Sequence, residues 1–365
     1  MEMMDVHLLK EQDMLSLAKY QRYLYKHPKL QHLFLELTDK CNLNCLHCGS
    51  GCTRENDTFL PLEVIERTLR IVADAYTPSD IMICITGGEP FLHPELFEIV
   101  RLSHSYGFAV GITTNGTFID EAATRKLARA GLDSIAVSLD GLGNVHDDFR
   151  RTKGCFGKAV DGIHALKSAG IEPQVLTVVH KGNVFGLEEM FRFLQKEEIY
   201  SWRLVNIEPI GRAGNSQDLF LSVQELKYLL DYIRGKRLDE KNTMEVSYGC
   251  SHFLTYEYEN MVRDFYFQCI AGTKVASIMA NGDIGACLDI ERRPDPIQGN
   301  AYKDDFIDVW ENRFGVFRTD RTEKSGACIN CRHRTVCLGD SAHTWDFDQK
   351  EPRYCVAVEL EELTI

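Results

Sequence analysis

Between residues 33 and 207 the chain alternates short β-branched runs with longer stretches whose apolar residues recur every three or four positions. Alternating periods of two and 3.6 read as βα units, which bury a parallel sheet under helices. Six strands are expected, at Leu33 to Leu37, Ile81 to Thr86, Ala109 to Thr113, Ser134 to Ser138, Gln174 to Val179 and Arg203 to Ile207. Covering helices fall at Pro61 to Ala75, Pro94 to Tyr106, Asp120 to Ala130 and Leu187 to Lys196. Pro61 and Pro94 suit a first helical turn, and Gly107 and Gly131 suit helix C-termini. Past Pro209 the alternation stops. Gly211 to Gln217 is a polar connector, Ser222 to Gly235 reads as one more helix, and from residue 246 short strands and turns carry many cysteines. A length of 365 residues accommodates a barrel of about 200 residues and a second module. The expected division is a helical lead-in over 1–32, a barrel over 33–215, a helical connector over 216–245 and a cysteine-rich domain over 246–365.

A formal net charge of −13 argues against a nucleic-acid partner, because phosphate binding needs a concentrated basic surface. Apolar runs such as Ile81 to Ile85 fall far short of the roughly 20 residues of a membrane-spanning helix. Met1 to Lys10 lacks the basic start and apolar stretch of a signal peptide. A cytoplasmic location is expected. There, 13 cysteines point to metal ligands rather than to disulfides, which do not persist in a reducing compartment.

The most specific motif is Cys41-Asn-Leu-Asn-Cys45-Leu-His-Cys48, in the loop after the first strand. In parallel α/β barrels that loop lies at the C-terminal face, where active sites are built. Three thiolates at this spacing can each take one corner of a cubane cluster and leave a fourth iron open. A zinc site closed by Cys52 is the alternative reading of the same residues. At the end of the second strand stands Gly87-Gly88-Glu89-Pro90, where glycines permit close backbone approach and a carboxylate can accept from an ammonium. Together these motifs resemble the radical SAM superfamily, with His47 at the ring position before the third cysteine. The resemblance implies a partial (β/α)6 TIM-like barrel and a [4Fe–4S] cluster on Cys41, Cys45 and Cys48. It further implies S-adenosylmethionine chelated at the open iron and cleaved to a 5′-deoxyadenosyl radical. Gly87, Gly88, Glu89 and Pro90 would bind the methionine amine. His47, Asn115, Ser138, Asp140 and Asn183, at other strand ends, would contribute cofactor contacts, with Thr114 beside them; loop capping is the alternative for the strand-end residues.

The late cysteines fall as Cys269-x12-Gly282-x4-Cys287 and Cys328-x2-Cys331-x5-Cys337, with Cys355 after a further 17 residues. This resembles the SPASM domain, the auxiliary-cluster module of radical SAM peptide maturases, sulfatase maturases and some aminoglycoside dehydrogenases. The resemblance implies that Cys328, Cys331, Cys337 and Cys355 hold one auxiliary [4Fe–4S] cluster. A second auxiliary site would draw on Cys269 and Cys287, with Cys250 as a third ligand, but Ser341 stands where the pattern calls for cysteine. A zinc ribbon is the alternative reading of these spacings.

Auxiliary clusters suit oxidation of a substrate radical, which also needs a base. Asp289, two residues past Cys287, is the candidate. Cys84, inside an apolar strand, reads as core, and Cys155 as the start of a helix. Arg212 lies in a segment that resembles one following the sixth strand of SPASM enzymes. By the same resemblance the enzyme is expected to oxidise or cross-link a peptide or protein, as a maturase. The alternative is dehydrogenation of a small molecule such as an amino-sugar or cyclitol. Flavodoxin or ferredoxin would supply electrons. The short stretch before the first strand leaves leader recognition to a separate leader-peptide-binding protein.

Overall fold

The computed structural model describes residues 2–249 and 252–363. Cys250 lies outside them. The expected strands form as β1 (His32–Glu36), β2 (Met82–Thr86), β3 (Ala109–Thr114), β4 (Ser134–Ser138), β5 (Pro173–Val179) and β6 (Ser201–Asn206), each parallel to the next. The helices are α1 (Glu2–Leu24), α2 (Leu62–Ala75), α3 (Leu96–Ser105), α4 (Glu121–Ala130), α5 (Asn144–Phe149), α6 (Cys155–Ser168), α7 (Leu187–Lys196) and α8 (Val223–Leu238).

Local chemistry sets the boundaries. The apolar stripe of α2 buries Val64, Ile65, Leu69 and Val72 against the sheet. Asp120 caps α4 by accepting from the Ala123 amide, and Gly131 ends it in the left-handed region at φ +83°. Pro94 lies outside its helix, because Glu95 takes the cap position of α3.

Side-chain alternation gives the strands two unlike faces. On β2, Ile83 and Ile85 are buried beneath the helices, whereas Met82, Cys84 and Thr86 take the opposite, partly accessible face. Cys84 is therefore not a core residue as expected. It shares the inner side of the curved sheet with Arg203, whose neighbours Trp202 and Leu204 are fully buried on the other face.

The sheet continues beyond the six strands. β7 (Glu245–Tyr248) adds parallel to β6, and β8 (Val275–Ile278) adds parallel to β1. β9 (Asp283–Gly285) and β10 (Gly299–Asn300) then extend it antiparallel, giving the order β10-β9-β8-β1-β2-β3-β4-β5-β6-β7. Strands of the cysteine-rich region thus join both ends of the barrel sheet, which holds that region across the open side.

The loop after β2 runs against the loop after β1: the Gly88 amide donates to the Thr38 carbonyl at 2.7 Å, and the Glu89 amide to that of Lys40 at 3.0 Å. A Cβ on Gly88 would stand 2.1 Å from the Lys40 carbonyl oxygen. This glycine is required by chain against chain, a closer constraint than the expected approach of a ligand. Gly88→Ala is predicted to lower unfolding free energy by about 3 kcal/mol, read as a fall in the urea midpoint. Gly157→Ala, in α6 with nothing near its Cβ position, is predicted to leave it unchanged or raise it by up to about 1 kcal/mol.

Candidate functional site

Cys41, Cys45 and Cys52 are buried in one cluster with Leu43 and Cys155, and Cys48 packs against it. Burial pushes the Cys41 thiol up to about 12 and raises Cys45. Thiols held neutral in this way ionise when a metal takes the charge. Cys48 differs: a hydrogen bond from Cys52 pulls it down to about 5, against the burial that would raise it. Cys52 is thus placed beside the motif rather than apart from it. Among the described residues no three of these thiols lie within 4.8 Å of one another.

The loop is held from outside by Arg212. Its Nε donates to the Cys45 carbonyl at 2.8 Å, its Nη1 to that of Cys52 at 2.9 Å, and its amide to that of Cys48 at 3.1 Å. Next to it, Gly211 has φ +55°, and a Cβ there would stand 2.4 Å from the Cys48 carbonyl oxygen. Arg212 is therefore the brace of the cysteine loop.

Glu89 is completely buried. Burial raises its pKa against the donors that favour the anion: the Asn115 amide at 2.9 Å, the Thr114 hydroxyl at 2.7 Å and the Phe91 amide at 3.1 Å. Two of these bonds fall on Oε1 and one on Oε2, so Oε2 keeps a lone-pair site for an ammonium. His47 forms a ring stack with Phe149 at 4.6 Å and, beyond it, His180 at 3.9 Å. Burial lowers His47 to about 3, which keeps the imidazole neutral, and its Nδ1 has no hydrogen-bond partner among the described residues.

The remaining strand-end candidates divide. Ser138 is buried at the end of β4. Asp140 is spent inside the protein: it accepts from Arg150 Nε at 2.7 Å and the Val178 amide at 3.0 Å, and the guanidinium holds its carboxyl far below the usual range despite burial. Asn183 donates to the carbonyls of Asp140 and Val178 at 2.7 and 2.8 Å. Both therefore tie β4 to β5. Asn115 is likewise engaged, donating to Asn42 and accepting from Thr117. Buried polar groups must be paired, and here the nearest partners were the protein's own.

In the C-terminal region Cys328, Cys331, Cys337 and Cys355 line one cavity of about 340 Å³, together with Phe253 and Asp340. Burial raises Cys337 strongly and Cys355 to about 11. Four thiols around a space of that size fit a four-thiolate cluster shell. The other pair is less provided for: Cys269 Sγ accepts from the Ala342 amide at 3.3 Å, and Ser341 beside it is fully buried.

Asp289 has an exposed surface, yet burial among protein atoms is the main cause that raises its carboxyl, with His343, Glu208 and Arg203 the charges that act on it. Asp289 thus keeps an accessible surface while standing among these charged groups. Glu208 stands just beyond β6, 3.2 Å from His252 Nε2 and 3.5 Å from His343 Nε2. Burial alone would lower His252, but Glu208 and Asp340 outweigh it and hold it at about 10. These three were not singled out in the sequence. A signal was present, since Glu208 stands at the C-terminal end of a barrel strand.

An α/β barrel whose first loop gathers three cysteines, with a four-cysteine cavity in its appended region, defines an iron–sulfur enzyme. The chain matches the radical SAM superfamily over residues 35–194 and an iron-sulfur cluster-binding (SPASM) domain over residues 269–332. It is a radical SAM enzyme with a C-terminal SPASM-type domain, and its fold is the partial TIM barrel of that class. That membership brings a [4Fe–4S] cluster, S-adenosylmethionine and auxiliary iron–sulfur chemistry. The chain is 28% identical to the AdoMet-dependent heme synthase of Methanosarcina barkeri, over 88% of this chain and 95% of that protein. It is also 28% identical to the mycofactocin maturase MftC of Mycolicibacterium smegmatis, over 83% and 76%. In fold it resembles native anSMEcpe with bound AdoMet and Cp18Cys peptide, with TM-score 0.72 and 18% identity over 92% of this chain and 95% of that one. Among the described residues no helix is long and apolar enough to cross a membrane.

After anaerobic reconstitution the protein is predicted to hold about eight irons, falling to about four both in the Cys41/Cys45/Cys48→Ala variant and in the Cys328/Cys331→Ala variant. Iron and sulfide analysis reads this directly. About twelve would mean that Cys269 and Cys287 complete a further cluster.

Proposed function

We propose that this enzyme removes a hydrogen atom from a side chain of a peptide or protein substrate and leaves that side chain oxidised or cross-linked, with Asp289 as the base. The groups it binds supply hydrogen abstraction through the 5′-deoxyadenosyl radical and, at the auxiliary site, acceptance of one electron. The protein's own part is to take the accompanying proton, so that hydrogen atom, electron and proton account for a two-electron oxidation. The observation that carries this reading is an accessible carboxyl with raised basicity, in a chain whose four-cysteine cavity leaves the auxiliary site no ligand position for substrate. A carboxyl raised by burial is a better proton acceptor than an ordinary one.

The peptide assignment draws on the likeness to mycofactocin maturase, and reduced flavodoxin or ferredoxin would supply the electron that starts the cycle. A separate leader-binding protein fits this reading. Oxidation of a tetrapyrrole side chain is the second reading, favoured by the likeness to heme synthase that spans 95% of that relative. The experiment is mass spectrometry of reconstituted enzyme with S-adenosylmethionine, a low-potential reductant and either substrate. Loss of hydrogens from a peptide supports the first reading. Turnover of the tetrapyrrole alone overturns it in favour of the second.

Asp289→Asn is predicted to keep forming 5′-deoxyadenosine while product falls by about 10²-fold or more. The raised carboxyl must be ionised to act as a base, so product per 5′-deoxyadenosine should fall as pH drops through a value above the ordinary aspartate figure of about 3.9. Asp289→Asn should abolish that dependence.

A further inference from the structure

The polar cluster beside Asp289 has the geometry of a metal site that the iron–sulfur chemistry does not use. Glu208 Oε1 lies 3.2 Å from His252 Nε2 and 3.5 Å from His343 Nε2, and the three donor atoms all fall within 4.8 Å of one another. Donors bound to one ion at about 2.1 Å, at right or tetrahedral angles, stand roughly 3.0–3.4 Å apart. The two imidazoles do not stack. Their planes make 85° with centroids 5.9 Å apart, so they approach a common point from different directions.

One of the donors has no other use. His343 is only 7% exposed and its Nε2 has no hydrogen-bond partner among the described residues, while Glu208 Oε1 meets only the two imidazoles. Buried polar atoms left in that state are rare in folded proteins, and a bound ion is one of the few explanations. His252 Nε2 has only long contacts besides Glu208, with Asn206 Nδ2 at 3.3 Å and the Tyr354 hydroxyl at 3.4 Å.

The surroundings orient the donors as metal sites do. Asp340 Oδ2 lies 3.2 Å from His252 Nδ1, while its Oδ1 accepts from the Phe253 amide at 2.8 Å. A carboxylate on the far nitrogen of a ligating histidine fixes the ring and its tautomer. The Tyr354 hydroxyl donates to Glu208 Oε2 at 2.6 Å, which leaves Oε1 for the ion. Asp340 and Tyr354 in turn flank Cys337 and Cys355, so the cluster stands against the auxiliary cavity. His343 lies two residues past Ser341, the position where the SPASM pattern calls for cysteine.

The geometry points to a mononuclear site for a divalent transition-metal ion, held by Glu208, His252 and His343 and distinct from the iron–sulfur sites. Two imidazoles and a carboxylate suit zinc, manganese or ferrous ion, and three protein ligands leave coordination positions open for a substrate oxygen or nitrogen. The site does not depend on which substrate class proposed above is correct.

The test uses zinc, since iron is already counted in the clusters. Reconstituted holoenzyme is incubated anaerobically with Zn²⁺, desalted, and analysed for zinc, iron and sulfide. The wild type is expected to retain one zinc per chain at unchanged iron, and Glu208→Gln and His343→Ala to lose it at unchanged iron. Asp340→Asn keeps all three donors and should weaken zinc binding between about ten- and a hundredfold. Cys269→Ala/Cys287→Ala should retain the zinc, which separates this site from the spare thiols. The proposal is overturned if the wild type retains no zinc, if the Asp340→Asn affinity is unchanged, or if zinc is lost from the double cysteine variant. Zinc analysis needs no turnover, so it stands apart from the test of the substrate.

Discussion

A loop that commits its thiols to a cluster has little hydrogen bonding of its own, and its carbonyls must find donors elsewhere. In this protein Arg212 meets that need, binding the carbonyls of Cys45 and Cys52 through its guanidinium while its amide takes that of Cys48. On the other side the Gly88 and Glu89 amides hold the chain leading into Cys41. The cysteine loop is thus clamped between the segment after β6 and the loop after β2. Glu89 belongs to the same clamp, so the carboxylate and the cysteines are positioned by one set of backbone contacts.

Burial governs the charges around this clamp. Asp140 and Arg150 are almost wholly buried and satisfy one another at 2.7 Å. Removing either partner would leave an uncompensated charge and cost about 3–5 kcal/mol. The pair ties β4 to α5 and its following turn, which carries Phe149 in the stack under His47. In the C-terminal region Glu259 and Arg263 form a second fully buried pair, and Glu259 also accepts from the Leu254 and Phe267 amides. That pair orders the aromatic segment beside the auxiliary cavity, where Phe253 is a wall. Buried ion pairs fix the irregular stretches where the regular ladders of the sheet do not reach.

Much of the barrel was legible because its signals are local. The alternation of periods located all six strands to within two residues, and α7 falls at Leu187–Lys196 as read. The cysteine spacings carried the resemblance to the family by the same kind of short-range pattern. Other residues depended on contacts that no local pattern shows. Cys84 looks like core in an apolar run, but strand alternation turns it to the inner face. Asp140 and Asn183, read as cofactor contacts from their strand-end positions, also bond to chain more than 35 residues away, Asp140 with Val178 and Asn183 with Asp140. Glu208, His252 and His343 went unmarked, because no spacing links three residues drawn from separate segments.

The sequence by itself determined the alternating units, the chemistry of the cysteine motifs and the family to which they belong, since each is written within a few tens of consecutive residues. Only the tertiary structure decided which polar groups meet: that Arg212 braces the cysteine loop, that Gly88 is required by a carbonyl of another loop, and that two histidines and a glutamate converge beside Asp289. Periodicity reports the face on which a residue stands. What it touches there depends on chain folded back from distant positions, as far as 167 residues for Arg212 and Cys45, and the demand that buried polar atoms be paired is settled only when those segments meet.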